Sequence, residues 1–165
     1  MTQSEKITFL NKYTLSSKNK VEFITDKSTI VNAPIPEYWK AAFLADTLED
    51  RKSIVLGEWQ KYLARELSNT ILYLQTYLTD IELMRIGEEY SILYTLLSYK
   101  TQKTAFYEGK NPLSESNFGK KFDCTVENID KTIVNFYTKV HNGFYYYPSK
   151  TMGLDSAENI DSMAD

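Results

Sequence analysis

NIDKTIVNFYTKVHNGFYYYPSKTMGLDSAENI occupies Asn128 to Ile160. In order, it signals an amphipathic helix, a sharp stop, a very aromatic strand, a turn and the start of a further helix. Ile129, Ile133, Phe136, Tyr137 and Val140 recur at the spacing of one buried helical face. Asn142-Gly143 then supplies the left-handed residue that ends a helix and turns the chain without Cβ strain. The bulky rings of Phe144 to Tyr147 favour extended backbone. Phe144 and Tyr146 should face one way, Tyr145 and Tyr147 the other. A sheet covered on one face leaves Tyr145 and Tyr147 near solvent as interface anchors, whereas helices on both faces bury them.

Upstream, the same reasoning gives a short helix over 3–11, a strand at Val21–Thr25 and a partner strand at Thr29-Ile30-Val31. Asn32 to Pro36 is an extended loop, and Pro36 suits the first turn of a helix reaching Leu44. From Leu48 to Leu78, Val55, Trp59, Tyr62, Leu63, Leu67, Ile71, Leu74 and Leu78 recur every three or four residues. Gly57 is the soft point, at about 1 kcal/mol against Ala. Thr79 with Glu82 fits a capping box opening a second long helix through Leu83, Ile86, Tyr90, Leu93 and Leu97 to about Phe106. The two are expected to pack as an antiparallel helical hairpin over 48–106. Gly109–Pro112 breaks the pattern, Ser114–Phe122 forms a short helix, and Thr125 caps the next one. The expected fold is an α-rich α+β single domain over residues 1–165, a long helical hairpin plus a small sheet. The acidic tail over 155–165 is expected to fray.

Composition narrows the function. The chain has 165 residues, 42% hydrophobic and 25% charged, with a net charge of −3. That balance speaks against a general nucleic-acid binder. The surplus of 13 Tyr and 8 Phe suits either a core near the surface or a binding face. One cysteine, Cys124, cannot form an intramolecular disulfide, and MTQSEKITFLNK carries no signal-peptide run. No segment approaches a membrane span. A cytoplasmic protein is expected.

Chemistry-bearing motifs are sparse. The single histidine, His141, sits at a helix end, where a cationic imidazole would meet the last free carbonyls. No GxSxG, HExxH, EF-hand, P-loop or GxGxxG motif accompanies it, so no catalytic residue, cofactor or metal is expected. Glu58, Glu66, Glu88 and Glu89 read as solvated helix faces, and Cys124 as a small, partly buried side chain. Lys100, Lys103, Lys110, Lys120 and Lys121, interleaved with Tyr99, Phe106 and Tyr107, read as an ordinary lysine-bearing surface rather than a single-strand binding platform.

Ile133-Val134-Asn135-Phe136-Tyr137-Thr138-Lys139-Val140-His141-Asn142-Gly143-Phe144, followed by Met152-Gly153-Leu154, resembles the SUKH superfamily. Its members share a helix ending in an Asn-Gly-type turn, then a strand, then a Gly-Leu-type step. Most bacterial members look like immunity proteins. The resemblance implies binding and neutralisation of a cognate toxin. On that expectation the mechanism is occlusion by a preformed acidic and aromatic surface, with Tyr145 and Tyr147 as anchors and Asp155 and Glu158 as steering charges. The alternative is an assembly protein that self-associates through the 48–106 hairpin; an enzyme using interhelical carboxylates is a third reading.

Overall fold

The computed structural model describes residues 1–14, 20–122 and 126–160. Cys124, Thr125 and the far end of the tail, 161–165, lie outside the described residues. In chain order the elements are α1 (Gln3–Asn11), β1 (Val21–Phe23), α2 (Lys27–Asn32), α3 (Glu37–Leu44), α4 (Leu48–Leu63) and α5 (Ser68–Tyr77). There follow β2 (Leu78–Ile86), β3 (Glu89–Leu97), β4 (Thr104–Lys110), α6 (Glu115–Lys121), α7 (Lys131–Asn135), β5 (Phe144–Tyr146) and β6 (Thr151–Leu154). The strands form one antiparallel six-stranded sheet in the order β1-β2-β3-β4-β5-β6. The fold is therefore α+β, as expected.

Local chemistry starts most helices where the sequence signals them. Thr2 and Glu5 close a capping box on α1. Pro36 precedes α3, and the Thr47 hydroxyl accepts from the Asp50 N–H at the start of α4. Ser114 caps α6 in the same way. Thr29-Ile30-Val31 is helical instead of extended, because the Asp26 carboxylate accepts from the Thr29 N–H at 2.7 Å and nucleates α2.

The helical hairpin over 48–106 is not what forms. Its first arm divides into α4 and α5, and its second arm is the β2–β3 hairpin leading into β4. Leu83, Ile86, Tyr90, Leu93 and Leu97 satisfy helical spacing only by coincidence. Ile81 and Leu83 in β2, and Ile92, Tyr94 and Leu96 in β3, alternate toward one side of the sheet, while Met84 and Leu93 are buried on the other. A strand buried on both faces reads as a continuous apolar run, which hides its period of two. Gly87, at φ +61, supplies the left-handed residue of the tight turn between them. Thr79 and Glu82 cap nothing: the Thr79 hydroxyl donates to the Thr95 carbonyl, and Glu82 pairs with Lys6. Self-association through a 48–106 helical hairpin thus loses its element.

The two faces of the sheet are covered unequally. On the first, α3, α4, α5 and α7 enclose a core centred on Trp39, Trp59, Leu63, Leu74, Ile81, Ile92 and Tyr94, each at most 1% exposed. Fully burying one such side chain contributes roughly 1.5–3 kcal/mol. On the second face α1 lays Leu10 against Val21, Met84, Leu93, Phe106 and Tyr147. Lys6 of α1 is buried beside Asp80, Glu82 and Thr95. Beyond α1 the second face opens into a cleft.

Candidate functional site

The most buried polar group, His141, is not a helix cap. After α7 the helix widens into a π-helical turn over Phe136–Val140, closed by the His141 N–H on the Phe136 carbonyl at 2.8 Å. His141 itself is extended and fully buried between Trp39, Trp59, Tyr94 and Phe144. Its Nδ1 lies 3.2 Å from the Lys110 carbonyl, which can only accept, so Nδ1 carries the proton. Nε2 then accepts from the Tyr94 hydroxyl at 2.7 Å, and the Tyr94 oxygen accepts from Trp59 Nε1 at 3.1 Å. Donors and acceptors match along the whole chain, which is the condition for a buried polar network to be stable. Burial pushes the His141 pKa down to about 3, only partly offset by the Lys110 carbonyl. The imidazole is therefore neutral and gains nothing from the helix dipole. Gly109 makes room for it: a Cβ there would lie 2.6 Å from the ring.

The candidate site is the cleft on the second face, about 570 Å³, between the β2–β3 turn and the segment after β5. Its position follows from strand register. Glu108 pairs across to Leu93 on one side and Tyr145 on the other, and Ser91 pairs to Lys110, so these alternate residues project to one face. Glu88 and Glu89 enter from the turn, and Lys150 and Glu158 from the C-terminal segment. Lys150 Nζ lies 2.7 Å from Glu108, while Lys110 sits 3.7 Å from Glu89 and 3.5 Å from Glu158. Four carboxylates thus face two ammonium groups. Asn142 fixes Glu158, donating to its carboxylate at 2.8 Å while accepting from the Ala157 N–H at 2.9 Å. Burial pushes the Glu158 carboxyl up, but its own backbone, Lys110, Ser156 and Asn142 outweigh that and hold it below the usual range. The Tyr145 phenol is pushed up by burial and by Glu108, Asp155 and Glu89, so it stays a protonated donor.

The sequence-predicted residues divide. Tyr145 and Glu158 line this cleft together. Tyr147 belongs to the core cluster beneath α1, with Lys150 Nζ 3.5 Å above its ring. Asp155 is a structural residue: its carbonyl accepts from the Tyr137 hydroxyl and its carboxylate from the Ser156 N–H and Asn159. The exposed aromatic pair does not form, since Tyr145 is 6% and Tyr147 0% exposed. Both faces of β5 are covered, by the helical core on one side and by Lys150 and the α1 cluster on the other. The acidic segment is tied down as far as Ile160 through these bonds, and the far end expected to fray lies outside the described residues. Ser91, Glu108, Lys110 and Lys150 were not singled out as binding residues in the sequence, because only strand register brings them together.

A second hollow, about 490 Å³, lies between α5 and the β5–β6 edge and is walled by Trp59, Tyr73, Leu74, Tyr107, Phe144 and Leu154. The adjoining edge strand β6 is exposed throughout, but Met152 at φ +58 and a register shift beside it bulge the edge. Such a bulge blunts strand pairing. Of the lysine-rich middle segment, Lys110 is held by glutamates and Phe106 is buried. Among the described residues no three His, Cys, Asp or Glu side chains converge as metal ligands, and no helix is long and apolar enough to cross a membrane. Comparison with protein-family models, with curated proteins and with solved structures finds no match.

Proposed function

We propose that the chain is a non-enzymatic binding protein of the immunity type, which occludes a cognate bacterial protein toxin in the cytoplasm without a cofactor. The observation that carries this reading is the cleft, with four carboxylates against two ammonium groups beside a buried tyrosine. An acidic concavity favours a basic protein partner, through both steering and complementarity of potential. The SUKH-like order of helix, Asn142-Gly143 stop, aromatic strand and Gly153-Leu154 step supports the same class. The binding residues are Tyr145 and Glu158, joined by Glu88, Glu89 and Glu108; Tyr147 and Asp155 act by holding the wall in shape.

Affinity purification of tagged chain from its native cells, followed by reconstitution with the purified partner, tests this reading. A stoichiometric partner whose toxic activity is titrated away by the chain supports it. Recovery of the chain alone, or of a partner whose activity is untouched, overturns it.

A further inference from the structure

The cleft holds a hydroxyl without a partner. Ser91 is 4% exposed and lines the cleft, yet its hydroxyl has no hydrogen-bond partner among the described residues. Among the described residues the wholly enclosed side-chain atoms without a partner are Trp39 Nε1 and Arg51 Nε, so the Ser91 hydroxyl is open to the cleft and available to a ligand. Around it, the Tyr145 hydroxyl and the Glu108 carboxylate add acceptor oxygens, and only one Glu108 oxygen is taken by Lys150. Among the described residues Glu88 makes no ion pair, and Lys110 and Lys150 are each held by a carboxylate. The unmatched capacity is therefore rich in acceptors and negative, with the Tyr145 ring in its wall.

Building on the binding role proposed above, we propose that the cleft seats a guanidinium, the arginine side chain of a protein partner, with its N–H fork shared between Ser91, Tyr145 and Glu108. A guanidinium is planar, donates only, never loses its charge and stacks on aromatic walls; an ammonium matches the charge but lacks the fork. An anionic ligand meets repulsion from the carboxylates, and the Ser91 hydroxyl, though able to donate, carries no charge to offset it. The cleft's own lysines are retained by their carboxylates and leave the floor to the ligand.

The test is an amide-resolved NMR titration of the full chain with N-acetyl-arginine amide, beside its lysine and norleucine counterparts. Saturable shifts at Ser91, Lys110 and Tyr145, arising in the low-millimolar range with the arginine probe, are expected. Binding should weaken about tenfold in Glu108→Gln and several-fold in Ser91→Ala, by loss of a charge-assisted and a neutral bond respectively. Should Glu108→Gln fail to fold, Glu158→Gln and Ser91→Ala carry the comparison. Absence of saturation, equal binding of the lysine or norleucine probe, or indifference to all three substitutions overturns the inference. If the purified partner binds the chain while the arginine probe does not, this inference falls and the immunity reading stands. If the probe binds selectively but reconstitution finds no inhibited partner, the reverse holds.

Discussion

The two faces of the sheet use polar groups in opposite ways. On the helix-covered face, Trp59, Tyr94, His141 and the Lys110 carbonyl satisfy one another in a closed series of uncharged groups, and only the neighbouring Trp39 Nε1 is without a partner among the described residues of that core. On the other face, Lys6 and Lys150 are matched by glutamates, but Ser91 is left open and carboxylates outnumber ammonium groups. The same cross-strand register builds both, since each strand sends alternate residues to each side. Polar groups that are saturated internally specify the fold; those with spare capacity that open onto a cleft are available to a partner.

The largest effect should come from breaking the closed face. Trp59 packs against Tyr94, Phe136, His141 and Phe144. Trp59→Ala should lower stability by about 3–5 kcal/mol in chemical denaturation, and a loss below about 1 kcal/mol would contradict its central place.

Acid separates the faces next. Folded His141 stays neutral down to about pH 3, whereas in the unfolded chain it protonates near its ordinary value of 6.5. As pH falls through that window the unfolded state takes up the extra proton, so stability declines, by at most about 1.4 kcal/mol per pH unit. Below about 3 both states are protonated and this dependence ends. Denaturation midpoints of wild type and His141→Gln between pH 7 and 4.5 isolate the contribution, because the carboxylates are common to both. Parallel pH profiles would refute it.

Gly109→Ala should follow at about 1–3 kcal/mol, because its Cβ would strike a ring enclosed by two tryptophans. A shift of the His141 ring resonances beyond those of the rest of the core would show where the strain goes. The smallest effect belongs to the open face. Glu88→Gln, at a carboxylate in the turn with no ion pair among the described residues, should change stability by less than about 0.5 kcal/mol while slowing association with a basic partner in low salt. An unchanged association rate would remove Glu88 from the steering charges.

Legibility in the sequence followed the number of buried faces. Helix α1, strand β1, helices α3, α4 and α6, and the helix–stop–strand order around Asn142-Gly143 could be read because caps, prolines or one-sided stripes mark them. Strands β2 to β4 could not, since ILYTLL at Ile92–Leu97 is apolar toward both sides and meets helical spacing at Leu93 and Leu97 as well. The cleft suffered accordingly. Tyr145 and Glu158 lie within one segment and were legible together, whereas Ser91, Glu108 and Lys110 meet only through a register that no local pattern encodes. His141 misled for a related reason: its place in the chain suggests a cap, and the extra residue of the π-helical turn directs it inward.

That extra residue also sets the reading frame of β5. A turn closed from i to i+5 holds one residue more than an α-helical turn, and the strand beginning four residues after Val140 inherits the offset. Because side chains alternate along a strand, removing one residue from Phe136–Val140 and carrying the change into β5 would exchange its two sides. Tyr146 would then take the place of Tyr145 beside Glu108 and Lys150, and Tyr145 would bring its hydroxyl against Trp59. A single widened turn thus fixes which aromatic ring the cleft receives, and a chain shortened there would lose the core contact and the binding floor in one step.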